Sequence, residues 1–196
     1  MEEFFEKIKQ DKEFMKIVGP LLENETVLEM KKYRQHYETS CYDHCLQASY
    51  YCYKICKKFN LRYEEAAKAT MVHDLFLYDW RKRQPDRKGL HAFTHPRTSY
   101  ENACKIMDLT KLQKDIILKH MWPLTLKLPL HRESYILTLV DKYCALSESY
   151  HEIRSRHIKK KEAKKYKKLH KNTVTINNNE TEITSELNKK DTIKES

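Results

Sequence analysis

Glycine is almost missing, with only Gly19 and Gly89 in 196 residues. A phosphate-cradling loop or a dinucleotide fingerprint needs several glycines in one turn, so nucleotide binding of those two kinds is excluded. No apolar run approaches the length needed to cross a bilayer. The first twenty residues, MEEFFEKIKQDKEFMKIVGP, alternate charge with apolar side chains and lack the uninterrupted apolar stretch of a secretory leader. The expectation is therefore a soluble, cytoplasmic protein without membrane contact, in which the six cysteines are reduced thiols. No convincing alternating run marks a strand and no internal repeat is present, which leaves an all-α fold. The length suits one domain with a real core and appendages.

A formal charge of +10 resembles a nucleic-acid signature until it is located. Residues 151–196 hold 13 Lys and Arg against 7 Asp and Glu, net +6, and residues 1–150 hold 25 against 21, net +4. Most of the excess thus belongs to a tail. KKKEAKKYKKLHKN reads as a solvated basic rod, and the polar stretch after it as a disordered end. Weak tail contacts are all that this charge predicts toward nucleic acid.

Three parts are expected: an N-terminal helical segment (1–20), a principal domain (21–150) and the basic, partly disordered tail (151–196). Phe4, Phe5, Ile8, Phe14, Met15 and Val18 mark the first segment, which Gly19 and Pro20 are expected to end. A helical pattern spans Asn24 to Tyr37, and Thr39 or Ser40 is positioned to cap a helix over about 41–59. On that helix Cys41, Cys45, Cys52 and Cys56 form one stripe. Consecutive turns of a rigid helix string thiolates along a line rather than around an ion, so small buried hydrophobes are the better account. LRYEEAAKATMVHD is the next helix, RKRQPDRKGLHAFTHP a loop, and Pro96 suits the first turn of a helix to about Met107. TKLQKDIILKHMWPLT reads as a helix broken by Pro123, and RESYILTLVDKYCALSESYHEI as the last strong helical pattern.

Within this framework TMVHDLFLYDW, residues 70–80, puts an imidazole and a carboxylate side by side at the end of an apolar run. Buried polar groups of this kind are costly unless something satisfies them. Asp141, in ILTLVDKYCAL, raises the same difficulty. Gathering the His and Asp residues on or beside the predicted helices gives His44, His73, Asp74, His95, His120 and Asp141. Imidazole nitrogen with carboxylate oxygen suits iron or manganese foremost, with zinc, nickel or magnesium as alternatives, and six donors exceed what one tetrahedral ion needs. Two ions sharing Asp74 would use them all.

The order H…HD…H…H…D resembles the HD-domain superfamily of metal-dependent phosphohydrolases. The likeness covers roughly residues 21–150 and is carried by YDHCLQAS, MVHD, FTHPRTSYENA, ILKHMWP and TLVDKYCAL. It implies an HD-type helical bundle in which His44, His73, Asp74 and Asp141 hold one divalent ion, with His95 and His120 supplying a second. His95 is favoured over His91 because a His just before a Pro-led helix matches the family element; His91 is then an alternative ligand or a neighbour of one. The small residue and Lys that follow the HD pair in many relatives are replaced here by Leu75, Phe76, Leu77 and Tyr78.

The implied activity is hydrolysis of a nucleotide or another small phosphate ester by metal-activated water, with His73 and Asp74 as catalytic residues. Asp74 would orient the nucleophile or accept its proton. Arg97, Lys119 and Lys142 are candidates to clamp the substrate's phosphates, and Trp122 or Tyr78 to stack on a base. A catalytically silent nucleotide-binding module on the same fold is the alternative. Substrate identity, native metal and oligomeric state are not legible at this level.

Overall fold

A computed structural model describes residues 2–36, 39–82 and 89–194, with side chains except at 2, 36 and 167–194. In chain order the elements are α1 (Glu2–Gln10), α2 (Lys12–Leu22), α3 (Glu25–Leu28), a 3-10 turn (Glu29–Lys32), β1 (Arg34–His36), β2 (Thr39–Ser40), α4 (Cys41–Lys58), α5 (Tyr63–Met71), α6 (His91–Ile106), α7 (Lys111–Lys119) and α8 (Arg132–Lys194). The fold is all-α apart from the small antiparallel pair β1–β2, which three and two residues are too short to announce by alternation.

Local chemistry sets the helix starts. Asp11 accepts from the Phe14 N–H (3.1 Å), and Ser40 accepts from the Asp43 N–H (3.1 Å) while its hydroxyl donates to Asp43 Oδ2 (2.7 Å). Thr110 and Gln113 form a reciprocal capping box on α7. Several boundaries differ from expectation. Gly19 and Pro20 lie inside α2, which runs to Leu22; Pro20 keeps its ring within the helix, so the stop falls two residues later. The Asn24–Tyr37 pattern resolves into α3, the 3-10 turn and β1. Pro96 is interior to α6, which starts five residues earlier at His91; the expected loop is therefore shorter, and its residues 83–88 lie outside the described residues.

Two units are distinguished, Met1–Tyr150 and His151–Ser196. In the second the backbone is helical to Lys194 where a disordered end was expected. Pairs such as Arg156–Glu152 (2.8 Å) support the helix locally.

In the first unit α4 is the central element, packed most extensively on α5. Small side chains allow the approach: Ala66, Ala67 and Ala69 are buried, and Ser49 Oγ donates to the Ala67 carbonyl (2.7 Å). Cys41, Cys45, Cys52 and Cys56 are buried free thiols, as a hydrophobic stripe predicts. Phe14 of α2 packs on the tyrosines of α4, with its ring 5.1 Å from Tyr50 and 5.3 Å from Tyr53. Buried Asp115 ties α7 to the start of α8, accepting from Ser134 Oγ (2.7 Å) and the Leu130 N–H (2.9 Å). No helix among the described residues is long and apolar enough to cross a membrane. Because Ala67 is wholly enclosed, Ala67→Leu is expected to lower unfolding free energy by about 1–3 kcal/mol in urea denaturation; an unchanged midpoint would show that the α4–α5 contact is looser than described.

Candidate metal centre

The HD pair lies in the turn that follows α5, whose last helical residue is Met71. Val72 N–H bonds the Ala69 carbonyl (3.2 Å) and His73 N–H the Thr70 carbonyl (3.4 Å). Leu77 then takes a left-handed φ of 51° and turns the chain away. His73 and Asp74 are thereby held in the interior, 0% and 2% exposed. His44 comes from α4, His95 from α6, His120 from the end of α7 and Asp141 from α8. All six expected ligands converge on this point. They form two groups able to hold a metal ion, His44, His73, Asp74 and Asp141 in one and Asp74, His95 and His120 in the other.

Each imidazole has its Nδ1 engaged away from the centre. His73 Nδ1–H donates to the Thr70 carbonyl (2.7 Å), His95 Nδ1–H to the His91 carbonyl (2.9 Å) and His120 Nδ1–H to the Ile117 carbonyl (2.7 Å). His44 Nδ1–H donates to the Glu148 carboxylate (2.9 Å). In the neutral form that a metal ligand takes, an imidazole carries one N–H, so each Nε2 would present a lone pair inward. There they meet other acceptors: His44 Nε2 is 3.0 Å and His73 Nε2 3.5 Å from Asp141 Oδ1, and His95 Nε2 is 3.2 Å from Asp74 Oδ1. His95 Nε2 and His120 Nε2 are 2.8 Å apart.

Lone pairs facing one another at such distances repel unless a proton or a metal ion lies among them. Donor atoms sharing one ion about 2.0–2.2 Å away sit roughly 3 Å from each other, as these do. Buried His73 Nε2 and Asp74 Oδ1 also lack a hydrogen-bond partner. The donor set therefore fits one or two divalent cations, and nitrogen with carboxylate oxygen is the mixture that transition metals take.

The electrostatics agree. Burial works to lower His44, but Asp141 and Glu148 carry it well above the ordinary imidazole value. His73 is likewise raised against burial, by Cys45, Asp74 and Asp141. His120 is lowered, by burial and by His95 and His73. Burial pushes Asp74 up, yet the surrounding imidazoles hold it well below the usual carboxylate range, and Asp141 is held down by His44 and His73 in the same way.

Above the centre opens a cavity of about 360 Å³, walled by Gln35, Trp80, His91, Ala92, Met121, Leu124, Lys142 and Ala145 with Asp74, His95, His120 and Asp141 at its base. Of the three expected phosphate clamps only Lys142 lines it, its Nζ donating to the His120 and Thr138 carbonyls (3.3 and 3.2 Å). Arg97 lies on the surface, paired with Glu101 (2.8 Å), because it follows His95 by two residues and so points roughly 200° around α6. Lys119 is paired with Asp115 four residues before it.

Tyr78 and Trp122 also have other partners than a ligand. Tyr78 OH lies 3.0 Å from His91 Nδ1, and Trp122 packs edge-on against Tyr135. His91 is outside both ligand groups; its carbonyl anchors His95, and its ring stacks between His95 (4.5 Å) and Trp80 (5.4 Å).

Four residues were missed. Gln35 Nε2 donates to Asp74 Oδ2, Glu148 backs His44, Trp80 lines the cavity, and the Cys41 thiol donates to the Asp74 carbonyl (3.1 Å). Of these, Cys41 and Glu148 had some signal, since each sits at helical spacing from a ligand; Gln35 had none.

An all-helical domain that buries two joined His/Asp groups beneath a cavity belongs to the class of helical bundles with a centre able to hold metal ions. Residues 41–146 match the family model of the HD domain, and the chain belongs to that family, part of the superfamily of metal-dependent phosphohydrolases. No curated protein and no solved structure gives a significant match.

Raised values for His44 and His73 mean that the metal-free protein carries protons there near neutral pH, and a metal ligand must be deprotonated. Metal uptake is expected to release protons, and affinity to fall as pH drops below the raised values. Calorimetry of Mn²⁺ binding in buffers of differing ionisation enthalpy measures the release; zero protons released would contradict the raised values of His44 and His73.

Proposed function

We propose that the protein is a phosphohydrolase that cleaves a nucleotide or another small phosphate ester with the aid of one or two divalent ions. The observation that carries this reading is the convergence of four imidazoles and two carboxylates in two joined groups, of which Asp74, His95, His120 and Asp141 reach the base of one cavity. His44, His73, Asp74 and Asp141 would hold one ion, and Asp74, His95 and His120 the other. When bound, such ions lower the pKa of water and supply positive charge opposite phosphoryl oxygens. The identity of the metal, iron or manganese foremost, belongs to this proposal.

The chain's own groups supply the rest. Gln35 fixes one oxygen of Asp74, and the carboxylate so held would ligate the ions and orient the attacking water. His73 holds its place through the Thr70 carbonyl. Lys142, on the cavity wall, offers the ammonium that meets the substrate's phosphate, replacing the Lys that is absent after the HD pair. Leu75 and Phe76, which occupy those positions, are buried, and Phe76 packs edge-on against His91 (4.7 Å). Trp80, Met121 and Leu124 give the cavity an apolar wall suited to a nucleobase and able to exclude water.

The test is phosphate release from a panel of nucleotides by Mn²⁺- or Fe²⁺-loaded protein. His73→Ala and Asp74→Ala are expected to abolish release while far-UV circular dichroism stays unchanged. Lys142→Met is expected to lower kcat/KM about 10–100-fold, the loss of one charge-assisted hydrogen bond, and Arg97→Ala to leave it unchanged. Nucleotide binding without turnover by the loaded wild-type protein would replace this reading with that of a binding module.

A further inference from the structure

The two halves of the centre are not equivalent, and the difference is a carboxylate. Three of the four imidazoles are backed by neutral carbonyls, those of Thr70, His91 and Ile117. His44 alone among them is backed by a carboxylate, Glu148, at 2.9 Å. Asp141 and Glu148 stand seven residues apart on α8, about two helical turns, and so share a face. They bracket the same ring, Asp141 at Nε2 and Glu148 at Nδ1. Both His44 and Glu148 are buried, 0% and 6% exposed, and Glu148 Oε2 has no hydrogen-bond partner. This carboxylate is therefore shielded from water, and only one of its oxygens is committed to a protein donor.

We propose that Glu148 is a positioning residue that makes the His44 half the tighter of two unequal cation sites. The proposal rests on the metal-centre reading above. Accepting the Nδ1–H makes the opposite nitrogen a stronger donor and fixes the ring's orientation. It also adds charge. The His44 half faces Asp74, Asp141 and the nearby Glu148, whereas the His95–His120 half has Asp74 alone. A cation entering the protein fills the His44 half first, and the second site, with three protein donors, is left the weaker and more exchangeable.

The probe is Co²⁺ titrated into metal-free full-length protein and followed by its visible absorption, which reads occupancy without activity. Wild-type protein is expected to bind in two steps. Glu148→Gln, isosteric but uncharged, is expected to weaken the tighter step about 10–100-fold and leave the weaker one in place. His120→Ala is expected to remove the weaker step, and adding Glu148→Gln to it then weakens what remains. A Glu148→Gln titration indistinguishable from wild type, or one with both steps weakened equally, overturns the proposal.

Should Glu148→Gln fail to fold, Zn²⁺-loaded wild-type protein decides by NMR. The His44 Nδ1–H must persist as a low-field proton; its loss on loading would place the metal on Nδ1 and end the proposal. The two readings fail separately. Two-step binding that responds to Glu148 without any hydrolysis sinks the proposed function alone, and hydrolysis by a protein whose tighter step ignores Glu148 sinks this inference alone.

Discussion

The orientation of four imidazole rings is the constraint on which the rest of the structure depends. Each ring spends its Nδ1–H on an acceptor outside the centre, so that its remaining lone pair is aimed at Asp74 or Asp141. Without a proton or a metal ion between them such groups set acceptor against acceptor, and a bound metal ion would satisfy them together. The fold's other features serve that aim. The turn after α5 presents His73 and Asp74 together, the end of α7 releases the Ile117 carbonyl to His120, and the start of α6 at His91 supplies the carbonyl that sets His95.

Backbone carbonyls used in this way make the site a property of helix geometry. Thr70 and Ile117 each lie three residues before the His that they hold, and His91 four residues before His95, which are the spacings at which a helical side chain reaches back. Packing then fixes how the helices meet. The alanine face of α5 lets α4 approach, which brings His44 within 5.6 Å of His73 between ring centres. A looser α4–α5 contact would separate the rings and divide the ligand group.

Much of this was legible in the chain. The six donors stood out because imidazoles and carboxylates in apolar runs demand an explanation, and the all-α class followed from periodicity. What stayed hidden was everything decided by direction rather than spacing. Lys142, next to Asp141, reaches the cavity wall, while Arg97, two residues from His95, projects to the surface. Glu148 stands at helical spacing from Asp141, but its role shows only once α8 is seen to face His44. Gln35 sits in a strand pair too short to register, and Trp80 is held by its indole N–H on the Arg34 and Gln35 carbonyls (3.2 and 3.3 Å) and by stacking on His91. The helix starts at Ser40 and Thr110 were carried by their own capping chemistry, whereas the start of α6 was displaced because a Pro is tolerated farther inside a helix than its usual first-turn position suggests.

The most direct test of the central claim is elemental analysis of the full-length protein purified without added metal or chelator and then reconstituted with Mn²⁺ or Fe²⁺. Inward-facing donors in two groups predict a saturating content of about two divalent ions per chain, falling to background when Asp74 is replaced by Ala. Protein that takes up no ion under either condition, yet keeps its helical fold, would contradict the account.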